Sequence, residues 1–422
     1  MCHCFVRRGP TALIVEAEAV IMERLEALGR ISDEPGCLTR LFASPAMRRA
    51  NELVESWMLK AGLSTGVDAL GNLIGSLPGP NQDSKTLLLG SHLDTVRNAG
   101  KYDGPLGVLT AIACLEQIRV AKRALPFAIK VVAFADEEGA RFQTAYLGSR
   151  ALTGQLDEKD LALVDENGVT MEQAILQFGG DPAKLKFSRM AGEDLLGYVE
   201  VHIEQGPVLE QKNLAVGVVT AIAGQTRAKL KFEGRPGHAG TTPMEMRQDA
   251  LCGASEFIVD ADKYARQHPG LVATVGQISA EPNVSNVIPG ICRLTLDLRH
   301  QEDAIRRNGC KNLAKIVAGI EQQRGLKILW QTVQETDSVP CSPQLTELMS
   351  DAVRKHQPDV ISLPSGAGHD AAVMAKITPV AMLFVRCKGG VSHHPDESVR
   401  LEDVRVALDV LTDFVLSIPP RP

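Results

Sequence analysis

Five short stretches of the sequence place a potential metal ligand directly after an apolar run. They are His92 and Asp94 in GSHLDTV, Asp103 in KYDG, Glu137 and Glu138 in DEEG, His202 in HIEQG, and His393 in SHHPDE. Imidazole nitrogens and carboxylate oxygens together suit zinc or manganese. Taken singly, each stretch has a plainer reading. A His-x-Asp is most often a surface turn, Tyr-Asp-Gly is ordinary turn chemistry, and a Glu-Glu pair is usually a solvated face. His202 could be a satisfied buried histidine, and His393-His394 a loop before Pro395. Their ordered co-occurrence is what singles them out. In an open α/β sheet, the loops at the carboxyl ends of the strands gather into one crevice.

The chemistry of such a set follows from charge. Two cations about 3.5–4 Å apart need a shared anionic ligand and can hold a hydroxide between them. Asp103 is the natural bridge: short, anionic and next to a helix N-terminus. His92 and His393 supply neutral nitrogens. Asp94, two residues beyond His92, can accept its other ring N–H. Glu137 and Glu138 point different ways, so one can ligate while the other faces the bridging water as general base. Spacing alone does not divide those two roles. Asp136 reads as loop solvation or as a partner behind the ligands.

These residues need a scaffold, and the chain is long enough for two domains at 422 residues. Residues 12–30 and 45–62 have helical spacing. Strand-like runs at 87–90, 129–135 and 198–204 alternate with a helix over 107–120. Such alternation predicts an α/β layer with a mostly parallel sheet. The more polar stretch 151–195 reads as an excursion over the surface. Between 213 and 335 the pattern is self-contained. Four strands and two helices there predict an α+β insert, with Pro243 in the first turn of its first helix and a single strand over 271–280. The expected boundaries are 1–212 and 336–422 for a split catalytic domain and 213–335 for the insert.

Composition narrows the function classes. Lys and Arg number 45 against 51 Asp and Glu, so no basic excess is available for nucleic acid, and 4% aromatics offer few stacking platforms. No apolar run has the length of a membrane span, and MCHCFVRRGP lacks a signal peptide's apolar core. The 9 cysteines are scattered, which suits free thiols in a reducing compartment and a cytoplasmic location. Cys2-His3-Cys4 brings only three ligands together and reads as an untidy terminus.

The motifs GSHLDTV, KYDGPLGV, DEEGARF, HIEQGP, GRPGHAGTTPM, NVIPG, DLRH, SGAGHDA and SHHPDE resemble the ureidohydrolase branch of the aminoacylase/carboxypeptidase-type dinuclear metallohydrolases. That branch includes allantoate amidohydrolases, N-carbamoyl-L-amino-acid hydrolases and β-ureidopropionases. The resemblance runs from about residue 20 to the C-terminus. It implies a zinc-peptidase-like catalytic domain with the insert as lid and dimerisation domain. It implies two divalent ions, zinc or manganese, on His92, Asp103, Glu138, His202 and His393, with Asp103 bridging, Glu137 as base and Asp94 in support. His238 would polarise the scissile carbonyl from a partner subunit's lid. Asn286 and Arg299 would bind a substrate carboxylate, with Gln205 and His369 as further substrate groups. The implied substrate is a small ureido carboxylate, allantoate first, with N-carbamoyl-L-amino acids or 3-ureidopropionate as alternatives. HIEQGP and DEEGARF disfavour a dipeptidase or aminoacylase, and the intact ligand set disfavours a non-catalytic metal-binding protein.

Overall fold

The computed structural model describes residues 16–419, so Cys2, His3, Cys4 and the start of the helix expected over 12–30 lie outside the described residues. The chain folds into two compact units. One holds the chain up to Val219, then Ser342–Ser362 and the chain from His369; the other holds Thr220–Cys341 and Leu363–Gly368. Residues 213–219 fall in the first unit because Val216–Val218 pair with Val385–Leu383 of its sheet.

The first unit is an α/β layer on a mixed sheet. Its strands run in spatial order Ser64–Val67, Leu73–Leu77, Ala128–Phe134, Thr86–His92, Leu195–Ile203, Val380–Val385 and Val216–Ile222. The four from Ala128–Phe134 to Val380–Val385 are parallel, and the flanking strands join antiparallel. Parallel strands must be covered on both faces, and Leu195–Ile203 and Val380–Val385 are buried along their whole lengths. The helix Pro105–Val120 packs on the Thr86–His92 and Leu195–Ile203 strands, with Ala17–Gly29 and Leu401–Ser417 against it. Covered on several sides, it is apolar all round, which is why its sequence lacks an amphipathic period.

Strand direction positions the site. His92 pairs with Phe134, and Phe384 with His202, so four strand ends finish level on one edge of the sheet. The loops that follow carry Asp94, Asp103, Asp136–Glu138 and the 392–397 turn. The antiparallel pair Ser64–Val67 and Leu73–Leu77 was not expected from sequence. The stretch 151–195 is more than a surface excursion. The helix Met171–Phe178, capped by Thr170 and Gln173, supplies Met171 and Ile175 to a small core with Phe42, Leu70 and Phe142.

The second unit is an antiparallel sheet in the order Ile278–Glu281, Ile291–His300, Gly224–Glu233, Lys327–Thr336. The strand expected over 271–280 is two pieces, Val272–Thr274 and Ile278–Glu281, both paired with Ile291–His300. Gly224–Glu233 alternates buried and exposed residues. Its buried side, with Leu230 and Phe232, packs against Phe257 of Ala250–Arg266 and Leu313 of Asp303–Arg324. The first of these helices starts at Ala250, not near Pro243. The Asp249 carboxylate accepts from Leu251 N and Cys252 N and satisfies two free helix N–H groups. Pro243 instead precedes the short 3-10 turn Met244–Met246. The seven cysteines among the described residues are free, and no described helix is long and apolar enough to cross a membrane.

Candidate metal centre

His92 is the last residue of its strand and is buried. Its Nδ1 lies 3.0 Å from the Asp94 carbonyl oxygen and 3.3 Å from the Asp94 carboxylate. Two oxygens at Nδ1 favour the proton there and leave Nε2 as the atom that could meet a metal. His202 repeats the arrangement, with Nδ1 2.9 Å from the Ile203 carbonyl oxygen. Asp94 does a second job. Its two carboxylate oxygens accept from Glu137 N (2.9 Å) and Glu138 N (3.0 Å). One buried carboxylate thus orients a histidine on one strand end and the acidic loop on the next.

Asp103 sits where two groups of candidate ligands meet. Its Oδ1 is 3.0 Å from His202 Nε2 and 3.5 Å from His92 Nε2. Its Oδ2 is 3.3 Å from His393 Nε2, which is itself 3.3 Å from Glu138 Oε1. Two triads therefore share one carboxylate: His92–Asp103–His202 and Asp103–Glu138–His393, each with its ligand atoms within 4.8 Å of one another. The next residue must be glycine. Gly104 has φ +81, and a Cβ there would lie 2.5 Å from the His92 ring. His393 (φ 57) and Gln205 (φ 55) are held in the left-handed region without being glycine, strain of the kind that gathers at functional sites. His394 does not join the group. It is exposed, and its Nδ1 accepts from Asp396 N.

The charges complement one another across the shared carboxylate. Burial alone would raise Asp103, yet His202, His393 and His92 hold it well below the usual carboxylate range. Burial would lower His92, but Asp103 and Asp94 hold it well above the usual imidazole value. Hydrogen bonds to Asp103 and Glu138 raise His393 to about 10. A proton on these nitrogens and a cation beside them would serve the same carboxylates. Three imidazole nitrogens and two carboxylates in two triads fit a pair of borderline divalent ions. Burial pushes Glu137 well above the usual range; His92 opposes that shift, while Glu138, Asp370 and Asp94 add to it. A carboxyl moved in that direction suits proton transfer near neutral pH.

The remaining expected residues divide between the units. Gln205 Nε2 donates to Asp103 Oδ2 (2.8 Å), and its Oε1 is buried without a partner, an acceptor left open beside the triads. His369 is buried with its ring 4.5 Å from that of His202, and burial, then the charge of His202, lowers it well below the usual value. In the second unit, His238 and Val287 pair across two short strands, and Ala239 N donates to the Asn286 carbonyl oxygen, so His238 and Asn286 are neighbours. Gly240 N donates to His238 Nδ1, which leaves Nε2–H as the ring's donor. Arg299 presents Nε and one terminal nitrogen to the two oxygens of Asp297 at 2.8 and 2.9 Å, and another to the Gly366 carbonyl oxygen.

Several supporting groups were not read from sequence. Arg40 is fully buried behind the His92–Asp94 turn and donates to the Leu93 carbonyl oxygen at 2.6 Å. Glu200 accepts from Ser91 Oγ and Ala371 N beneath His202. Ser392 Oγ donates to Asp103 Oδ2 at 2.6 Å. Asp136, expected either as loop solvation or as a partner behind the ligands, is buried, and burial and the charges of Asp94 and Asp370 push it well above the usual range. Only Glu200 carried a signal, as a charged residue inside an otherwise apolar strand.

Comparison with known proteins identifies the family. The sequence model of peptidase family M20/M25/M40 matches residues 88–417. An allantoate deiminase of Arabidopsis thaliana is 41% identical over 96% of this chain and 82% of its own. An N-carbamoyl-L-amino acid amidohydrolase of Geobacillus stearothermophilus is 40% identical over 93% of this chain and 96% of its own. The crystal structure of a hydantoinase/carbamoylase-family amidase from Burkholderia multivorans superposes with a TM-score of 0.89 at 30% identity, covering 96% of this chain and 98% of that one. The chain belongs to peptidase family M20/M25/M40, in the branch of the allantoate deiminases and N-carbamoyl-L-amino acid amidohydrolases, and is a hydrolase of C–N bonds.

Proposed function

We propose that this chain hydrolyses the ureido C–N bond of allantoate, releasing ammonia and carbon dioxide, with two zinc or manganese ions per subunit. The carrying observation is the Asp103 carboxylate, with one oxygen facing His92 and His202 and the other facing His393, itself beside Glu138. His92, Asp103 and His202 would hold one ion, and Asp103, Glu138 and His393 the other. When bound, the pair lowers the pKa of a water and polarises the ureido carbonyl. Glu137 takes the water's proton and later delivers one to the leaving nitrogen, and the carbamate freed by that scission decays to ammonia and carbon dioxide, while Asp94 fixes the backbone on which Glu137 sits. His238 donates from Nε2 to the developing oxyanion. Arg299 and Asn286 hold the substrate carboxylate, Arg299 exchanging Asp297 for it. Gln205 Oε1 accepts from the ureido NH2, and His369 lines the same site. The second unit serves as lid, and as the surface of a homodimer in which the partner's lid completes the site.

Allantoate ranks first on the stretches KYDGPLGVLTAIACLE and VAMLFVRCKGGVSHHPDE, which resemble the allantoate amidohydrolase group. Identity does not separate the activities, since allantoate deiminases and an N-carbamoyl-L-amino acid amidohydrolase both stand at 40–41%. Ammonia release should be measured with allantoate, an N-carbamoyl-L-amino acid and 3-ureidopropionate side by side, with zinc or manganese added. The highest kcat/KM is expected on allantoate. A preference of tenfold or more for either alternative would move the chain to that activity.

A further inference from the structure

Glu397 lies four residues beyond His393, in the motif SHHPDE, and nothing in its sequence position distinguishes it from the exposed Asp396 beside it. It is buried at 3% exposure. Its Oε1 accepts from Tyr102 N at 2.7 Å and Asp103 N at 3.1 Å. Its Oε2 lies 3.3 Å from Ser392 Oγ, and that hydroxyl donates to Asp103 Oδ2 at 2.6 Å. One carboxylate therefore ties the loop that carries Asp103 to the loop that carries His393, nearly 300 residues later in the chain. Gly100 is fitted to this arrangement. A Cβ at Gly100 would sit 2.4 Å from Glu397 Cβ, Cδ and Oε1.

The two faces of Asp103 depend on this tie unequally. Oδ1 meets His202 and His92, both fixed at strand ends by their own Nδ1 contacts. Oδ2 meets His393, which stands on a half-exposed turn. Two polar side chains also bond Oδ2, and one of them, Ser392, is held on the same turn as Glu397. We propose that Glu397 is a positioning residue that aims Asp103 Oδ2 at the Asp103–Glu138–His393 triad, so that its loss weakens that cation site before the His92–Asp103–His202 site.

This inference rests on the two-cation reading above. It makes Glu397 neither a ligand nor a group that touches substrate. A residue needed only for folding would lower stability and weaken both sites together. Supporting residues of this kind typically change metal affinity by about 10–100-fold.

The test uses the full chain, stripped of metal and titrated with manganese(II) alone, with bound metal counted after gel filtration. Wild type is expected to bind two ions. Glu397→Ala should keep one ion at wild-type affinity and bind the second at least tenfold more weakly. Gly100→Ala, which displaces the same carboxylate while leaving it in the chain, should do likewise. Glu397→Gln retains an oxygen for the two amides and should bind both ions with a smaller loss, a rescue that also covers an alanine variant too unstable to purify. Two unweakened ions in Glu397→Ala and Gly100→Ala, or an equal loss at both sites, would overturn the inference while leaving the two-cation reading intact. A wild-type chain that binds no ion would remove both.

Discussion

At the scale of single residues, the site turns on carboxylates whose surroundings give them different work. Asp103 is held charged by three imidazoles, while burial pushes Glu137 toward its protonated form. Environments that drive like groups apart are what acid–base division requires. Glu137→Gln should therefore leave bound metal nearly intact and reduce ammonia release by more than 10³-fold, measured with metal content on the same sample. Turnover within tenfold of wild type would remove Glu137 as the base. The ligand candidates were legible in the sequence because histidines and acids recur after apolar runs. The division between Glu137 and Glu138 was not legible from spacing and came only from the family resemblance, because adjacent side chains diverge and their order does not say which one meets His393. Arg40 and Glu397 were equally hidden. A charged residue near a helix end or in an acidic turn reads as solvated until tertiary packing buries it.

The elements explain why those residues converge. Four parallel strands ending level on one edge carry the loops, and Asp94 ties two of them by taking the Glu137 and Glu138 amides. Removing it leaves the buried Glu137 amide unpaired, at about 1–3 kcal/mol, and the half-buried Glu138 amide at less. Asp94→Ala is expected to lower Tm in the metal-free protein and, in addition, to weaken metal binding about 10–100-fold, read by competition with a chelator. A lowered Tm with unchanged metal affinity would make Asp94 a support of the fold alone. The strands and the buried helix could be read from their apolar runs, since their burial leaves a long unbroken signal. The short pair Ser64–Val67 and Leu73–Leu77 left little, with only nine residues and two glycines between them. At the insert's first helix, Pro243 was a weaker guide than Asp249. A proline only tolerates a helix start, whereas an aspartate side chain caps one.

Over the whole molecule, the proposed cations and protons would compete for the same nitrogens. The site carboxylates hold His92, His202 and His393 above the usual imidazole value in the metal-free protein. Each therefore keeps its proton until the pH rises through its own raised pKa. Cations at those nitrogens would compete with protons held more tightly than on a free imidazole, so affinity should climb with pH and fail on acidification. Calorimetry in buffers of different ionisation enthalpy should find a net release of protons on filling both sites at pH 7. Release near zero would mean that the histidines are not the ligands. The net charge of −6 opposes none of this, because the charges that matter are local to one edge of one sheet. The most direct test of the account is stepwise addition of zinc or manganese to the metal-free chain, with ammonia release from allantoate followed at each step. Release should be near zero without metal and reach its plateau at two ions per chain. Full release with less than one ion bound, or none from any ureido carboxylate with both sites filled, would contradict it.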